Sequence, residues 1–114
     1  MSQLLANAFT APLDPENYVS LDDGTPVPTG ARFVSDLAGA SVGVWGADVG
    51  LIGGETADEI FVILEGKAEI TFEDTGETII AGPGDIVRLF AGQRNSWKTI
   101  ERIRKVSFYI PAAS

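Results

Sequence analysis

With neither histidine nor cysteine in its 114 residues, this chain is left with carboxylates, amides, amines and aromatic rings for any chemistry it performs. Absent imidazole removes the usual general base and the commonest transition-metal ligand. Absent thiolate removes disulfides, cysteine nucleophiles and zinc–thiolate sites. Glu59 is the carboxylate that stands out. It follows Asp58 directly, and adjacent residues on a strand point to opposite faces. Turned inward with Phe61 and Ile63, it would sit among apolar side chains, where desolvation raises a carboxyl pKa unless Lys105 or Arg94 pairs with it. A carboxyl in that setting can serve as a catalytic general acid or base. The same burial also suits a plain ion pair that fixes register. Trp45, Trp97 and Tyr109 supply flat apolar walls with polar tips, suited to a cavity lining or to ordinary core. Ser41, Ser96 and Ser107 lack the histidine that a nucleophilic triad requires. Gly82-Pro83-Gly84 is not followed by Gly-Lys-Ser/Thr, so it reads as a corner and not as a phosphate loop.

The composition sets wider bounds. Sixteen acidic residues against eight basic ones leave a formal charge of −8, so no positive footprint for nucleic acid or for an anionic membrane surface dominates. No apolar run approaches the roughly 20 residues of a membrane span, and no basic stretch leads into an apolar one near the N-terminus. A cytoplasmic protein is the expectation. The length suits one domain.

The elements that would carry these side chains are strands. Glu59 to Trp97 is organised by glycine corners, with Ile60 to Leu64 a nearly continuous apolar run expected to be covered on both faces. In Lys67 to Glu73, Ala68, Ile70 and Phe72 alternate with polar residues. Asp74-Thr75-Gly76 marks a hairpin turn, and Ser41 to Ala47 is β-branched and aromatic between glycines. Gly53-Gly54 reads as a turn or loop. Tyr18 to Leu21 reads as an edge strand, Asp14-Pro15 as a turn, and Phe33 as a core residue. From Arg102 to Ile110 two sets alternate. Arg104, Val106, Phe108 and Ile110 are the more apolar and are expected to pack, leaving Lys105 and Tyr109 facing solvent or a cavity. Arg88 is expected to face outward. No stretch has helical periodicity with caps, so the fold class is all-β, a sandwich or small barrel. Residues 1–30 are expected to form an N-terminal arm and edge strand, with Leu4, Leu5 and Phe9 packing on the barrel or on a partner, and residues 31–114 the barrel.

Two spacings resemble the cupins. Glu59, six residues and Gly66 resemble the close of their first motif. Gly84, Phe90, Gly92 and Asn95 follow their second, with phenylalanine at the proline position and asparagine at the histidine position. The resemblance implies a double-stranded β-helix of the RmlC-like (jelly-roll) kind. Val44-Trp45, Asp58-Glu59, Leu64-Glu65-Gly66, Gly84-Asp85, Trp97 and Arg104-Lys105 resemble the small single-barrel branch related to the (S)-ureidoglycine aminohydrolase cupin domain. The metal positions of cupins fall here on Gly53, Glu55, Glu59 and Asn95, so every imidazole is replaced. Oxygen donors alone suit magnesium or manganese better than zinc or copper. The expectation is no metal cofactor, with Glu55, Glu59 and Asn95 the ligands of a hard cation if one binds.

Three functions follow as expectations. The first is a metal-free barrel that binds a small polar molecule through Trp45, Glu55, Glu59, Phe61, Asn95, Trp97, Lys105 and Tyr109, with Glu59 the candidate catalytic group. The second is a divalent-metal-dependent hydrolase of a ureide or related nitrogen compound. The third is a structural or partner-binding barrel. The resemblance also implies a homodimer, paired through edge strands and N-terminal arms.

Overall fold

The computed structural model describes residues 3–111, which fold as eight antiparallel strands without a helix. In order these are β1 (Asp14–Val19), β2 (Pro26–Leu37), β3 (Ala40–Ala47), β4 (Gly50–Glu55), β5 (Glu59–Phe72), β6 (Thr78–Ala81), β7 (Ile86–Leu89) and β8 (Arg94–Tyr109). The first two residues of the expected arm and the last three of the chain lie outside the described set. No helix among the described residues is long and apolar enough to cross a membrane.

The two long strands organise the barrel. The first half of β5 pairs with β7 and with the second half of β8, which also holds β3. The second half of β5 pairs with β6 and with the first half of β8, which also holds β4. Strands β1 and β2 extend the β3 side as an edge. Both long strands therefore cross from one sheet to the other, the path of a double-stranded β-helix. The crossing lies where the β5–β8 register shifts, between Ile63 and Ala68.

Period-two alternation fills the space between the sheets. Phe61, Ile63, Ala68 and Ile70 of β5 are at most 1% exposed. They pack with Ile52, Leu89, Trp97 and Ile103 in one core. The Asp74-Thr75-Gly76 turn joins β5 to β6, as its residue types require.

Several expectations are corrected. Gly53-Gly54 lies within strand β4, paired with Ser96 and Asn95, and is not a loop. Asp14-Pro15 opens strand β1, where proline is tolerated because an edge strand has spare N–H positions. The edge strand therefore runs Asp14–Val19, not Tyr18–Leu21. Strand β2 begins at Pro26, inside the stretch expected to be arm, and Phe33 on it is exposed and not core. The Ile60–Leu64 run is fully covered on one face only: Phe61 and Ile63 are buried, whereas on the other face Val62 and Leu64 are half-buried and Ile60 is exposed. In β8 the more apolar set is the outer one, with Phe108 and, just past the strand end, Ile110 exposed, and Ile103, Lys105 and Ser107 face inward. Arg88 faces outward as expected, bonded to Asp58 and stacked over Phe90. Leu4, Leu5 and Phe9 are exposed. The backbone of the arm is held by the barrel, since the Arg104 guanidinium donates to the carbonyls of Ala8 and Ala11.

Candidate functional site

Three neighbouring strands bring the central groups together. Lys105 of β8 lies opposite Trp45 of β3 on one side and Ile63 of β5 on the other. Ser107 lies opposite Phe61, and Tyr109 opposite Glu59. Because side chains on one face recur every second residue, Glu59, Phe61, Ile63, Lys105, Ser107 and Tyr109 share the inner face. The lysine stem runs along that face past Phe61 until its ammonium meets Glu59.

Lys105 Nζ donates to Glu59 Oε2 at 2.5 Å, and Ser107 Oγ donates to the same oxygen at 2.9 Å. The ammonium also stands 4.2 Å from the Phe61 ring centre, 5.0 Å from that of Trp45 and 5.1 Å from that of Trp97. Three ring systems thus wall the cation, and their π faces offset part of its desolvation. Trp45 meets Trp97 edge to face and Phe61 tilts against Trp97, which sets the walls relative to one another. Glu16 on β1 accepts from Trp45 Nε1 at 2.9 Å and fixes that indole.

Burial lowers the proton affinity of Lys105 below its ordinary 10.5, while Glu59 and, more weakly, Glu16 oppose the shift. The folded chain therefore holds this proton less tightly than the unfolded chain. Between the folded-state value and 10.5 the unfolded chain carries more protons, so stability rises with pH in that window and is lost as pH falls through it. Denaturant midpoints should show wild type gaining relative to Lys105→Met as pH climbs toward 10.5. Tyr18, whose hydroxyl is pushed up by burial and then by Glu16 and Glu59, is common to both proteins in that comparison. Ser107→Ala should cost about 1.5–3 kcal/mol in the same measurement, the usual worth of a hydrogen bond to a charged group.

This floor opens into a cavity of about 380 Å3. Trp45, Glu55, Glu59, Asn95, Trp97, Lys105 and Tyr109 all line it. Phe61, expected among the ligand contacts, does not: it is fully buried behind the ammonium. Arg94, the other suggested partner of Glu59, pairs with Glu73 on the outside. Asn95 is 3% exposed, and its amide nitrogen has no hydrogen-bond partner. Glu16, Tyr18 and Ser107 also line the cavity and were missed from sequence. Glu16 and Tyr18 share one face of the edge strand, and Ser107 shares the face of Lys105. That spacing was visible, but the strand pairing that aims these faces inward was not.

The donor set does not suit a divalent ion as it stands. Gly53 contributes no side chain, and Glu55 is exposed at the mouth. One Glu59 oxygen is already shared by an ammonium and a hydroxyl. Among the described residues no three carboxylates cluster. The cation beside Glu59 is the chain's own.

A two-sheet β-helix with polar groups on its inner face is the cupin arrangement, and the comparisons agree. The chain belongs to the EutQ-like cupin domain family, which matches residues 34–106. The Salmonella typhimurium ethanolamine utilization protein Q shares 22% identity, with 90% of this chain and 100% of that one covered and a TM-score of 0.66. The Clostridium difficile EutQ protein shares 14%, covering 86% and 79%, with a TM-score of 0.70. A DUF861 family protein of Thermotoga maritima shares 35% over 56% of this chain and 73% of its own, with a TM-score of 0.53. No curated protein matches.

Proposed function

We propose that this cupin binds a small polar molecule inside its barrel without a histidine-ligated metal, the Glu59–Lys105 pair forming the floor of the site. The observation that carries this reading is that the pair faces an open cavity of about 380 Å3. A pair that served register alone would gain nothing from a cavity, because water beside it weakens the attraction. The cavity lies within the 300–1,000 Å3 scale typical of ligand pockets. Aromatic walls and the uncommitted amide of Asn95 supply apolar contact and one further polar handle. A name that ties the Salmonella relative to ethanolamine utilization supports a small polar ligand. The test is a thermal-shift screen of small amines, acids, amides and carbonyl compounds, repeated with Glu59→Gln. At least one compound should raise the wild-type Tm by several degrees and leave the variant unmoved. A screen in which no compound separates the two proteins overturns the reading.

A second reading, a divalent-metal-dependent hydrolase of a ureide, draws support from Glu55, Glu59 and Asn95 lining one cavity and from the ureidoglycine aminohydrolase resemblance. It requires stoichiometric manganese or magnesium by elemental analysis, with activity lost in Glu59→Gln. The commitment of Glu59 to Lys105 weighs against it.

We also propose a cytoplasmic homodimer. Its support is the exposed apolar outer face of Ile60, Ile86 and Phe108, a burden for a lone barrel in water. Light scattering at micromolar concentration should give twice the chain mass of 12.0 kDa. A monomer there counts against it.

A further inference from the structure

The chain has three lysines. Lys67 and Lys98 are exposed, whereas Lys105 is 6% exposed and points into the barrel. It lines the cavity beside a carboxylate at 2.5 Å, and that carboxylate also accepts a hydroxyl. We propose that Lys105 is a covalent site, its ε-amine forming a reversible imine with a small aldehyde or ketone admitted to the cavity while Glu59 moves the protons. The proposal rests on the reading that the barrel admits a small polar molecule, and it names that molecule's reactive group.

Two features favour an amine nucleophile here. Desolvation by aromatic neighbours is a general way to activate a lysine, and burial already weakens this amine's hold on its proton. A proton acceptor also stands within hydrogen-bond reach, as proton transfer requires. The steps balance. Glu59 takes a proton from the ammonium, and the freed lone pair attacks the carbonyl carbon, forming the C–N bond and leaving an alkoxide. The alkoxide takes that proton back from Glu59. Glu59 then removes a second N–H proton and delivers it to the hydroxyl, which leaves as water while the nitrogen lone pair closes C=N. The product is a protonated imine and one water, with no oxidant or reductant consumed. Its positive charge stays where the ammonium was, beside Glu59 and within reach of the rings of Phe61, Trp45 and Trp97, so cage and counter-ion are matched before and after.

The full chain is incubated at neutral pH with propionaldehyde, and separately with glyoxylate, in the presence of cyanoborohydride. Reduced adducts are followed by intact mass and peptide mapping. Lys67 and Lys98 serve as internal references for ordinary exposed amines. With at least one probe, Lys105 should be alkylated at least about tenfold faster than either. In Glu59→Gln that advantage should vanish while the reference rates hold. A Lys105 rate equal to or below the references with both probes overturns the proposal. A thermal shift with each aldehyde, without reductant, separates the two levels. A shift without Lys105 adducts overturns the imine and leaves pocket binding standing. No adduct, together with no shift from any compound of the wider screen, overturns both.

Discussion

Lys105→Met is expected to destabilise the protein by about 3 kcal/mol, the lower end of the cost of breaking a buried ion pair. The loss arises less from the missing attraction than from what stays behind. Glu59, with its side chain 15% exposed, would be left in a largely apolar setting with only Ser107 as donor. The lower end applies because that hydroxyl remains and the cavity brings some water to the carboxylate. Replacing both members, Glu59→Met with Lys105→Met, should recover most of the loss, since well-packed apolar residues substitute for buried pairs at little cost. The measurement is a double-mutant cycle by denaturant unfolding, with an expected coupling of about 2 kcal/mol. A single variant within about 0.5 kcal/mol of wild type would mean that the pair does not hold its closed geometry in solution. The double variant is also the sharpest functional probe. It should fold and yet bind none of the compounds that shift wild type.

Gly66→Ala should be more damaging, costing more than about 4 kcal/mol or preventing folding altogether. Gly66 sits where β5 crosses between the sheets, at a φ of +90°. An added Cβ would meet the Arg102 carbonyl oxygen at 2.1 Å and the Ile103 Cα at 2.6 Å. These are backbone atoms of β8, the strand that carries Lys105, and they cannot swing aside as a flexible side chain would. Relief would require the two long strands to part at the crossing. Gly76→Ala is the control. It shares a positive φ of +74° but has nothing within 4 Å, so it should cost only the about 1–2 kcal/mol of left-handed backbone strain. Equal midpoints for the two variants would remove the crossing from its central place in the fold.

Much of the barrel was legible because its causes are local. Alternation in Lys67 to Glu73, the Asp74-Thr75-Gly76 turn and the opposite faces of Asp58 and Glu59 depend on near neighbours and on the geometry of a pleated strand. Gly66 was legible as a motif position, but the reason for it, the Arg102 carbonyl thirty-six residues on, was not. The misread elements fail for one shared cause. Gly53-Gly54 resembles a loop until Asn95 and Ser96 are placed beside it. Phe33 resembles core until β2 is seen near the edge, where a large side chain can stand at a cavity mouth.

Composition and spacing by themselves determined a β architecture with Asp58 and Glu59 on opposite faces of one strand, and chemistry without imidazole or thiol. Only the tertiary structure decided which face of β8 lies inside. A period of two defines two faces and is silent about which one is buried. Hydrophobicity favoured Val106, Phe108 and Ile110, but pairing with β3 and β5 turned Ile103, Lys105 and Ser107 inward. A charged side chain is tolerated there because a carboxylate and three aromatic rings, drawn from positions up to sixty residues away, meet its ammonium. That meeting is a property of long-range strand register, which no local window of the chain contains.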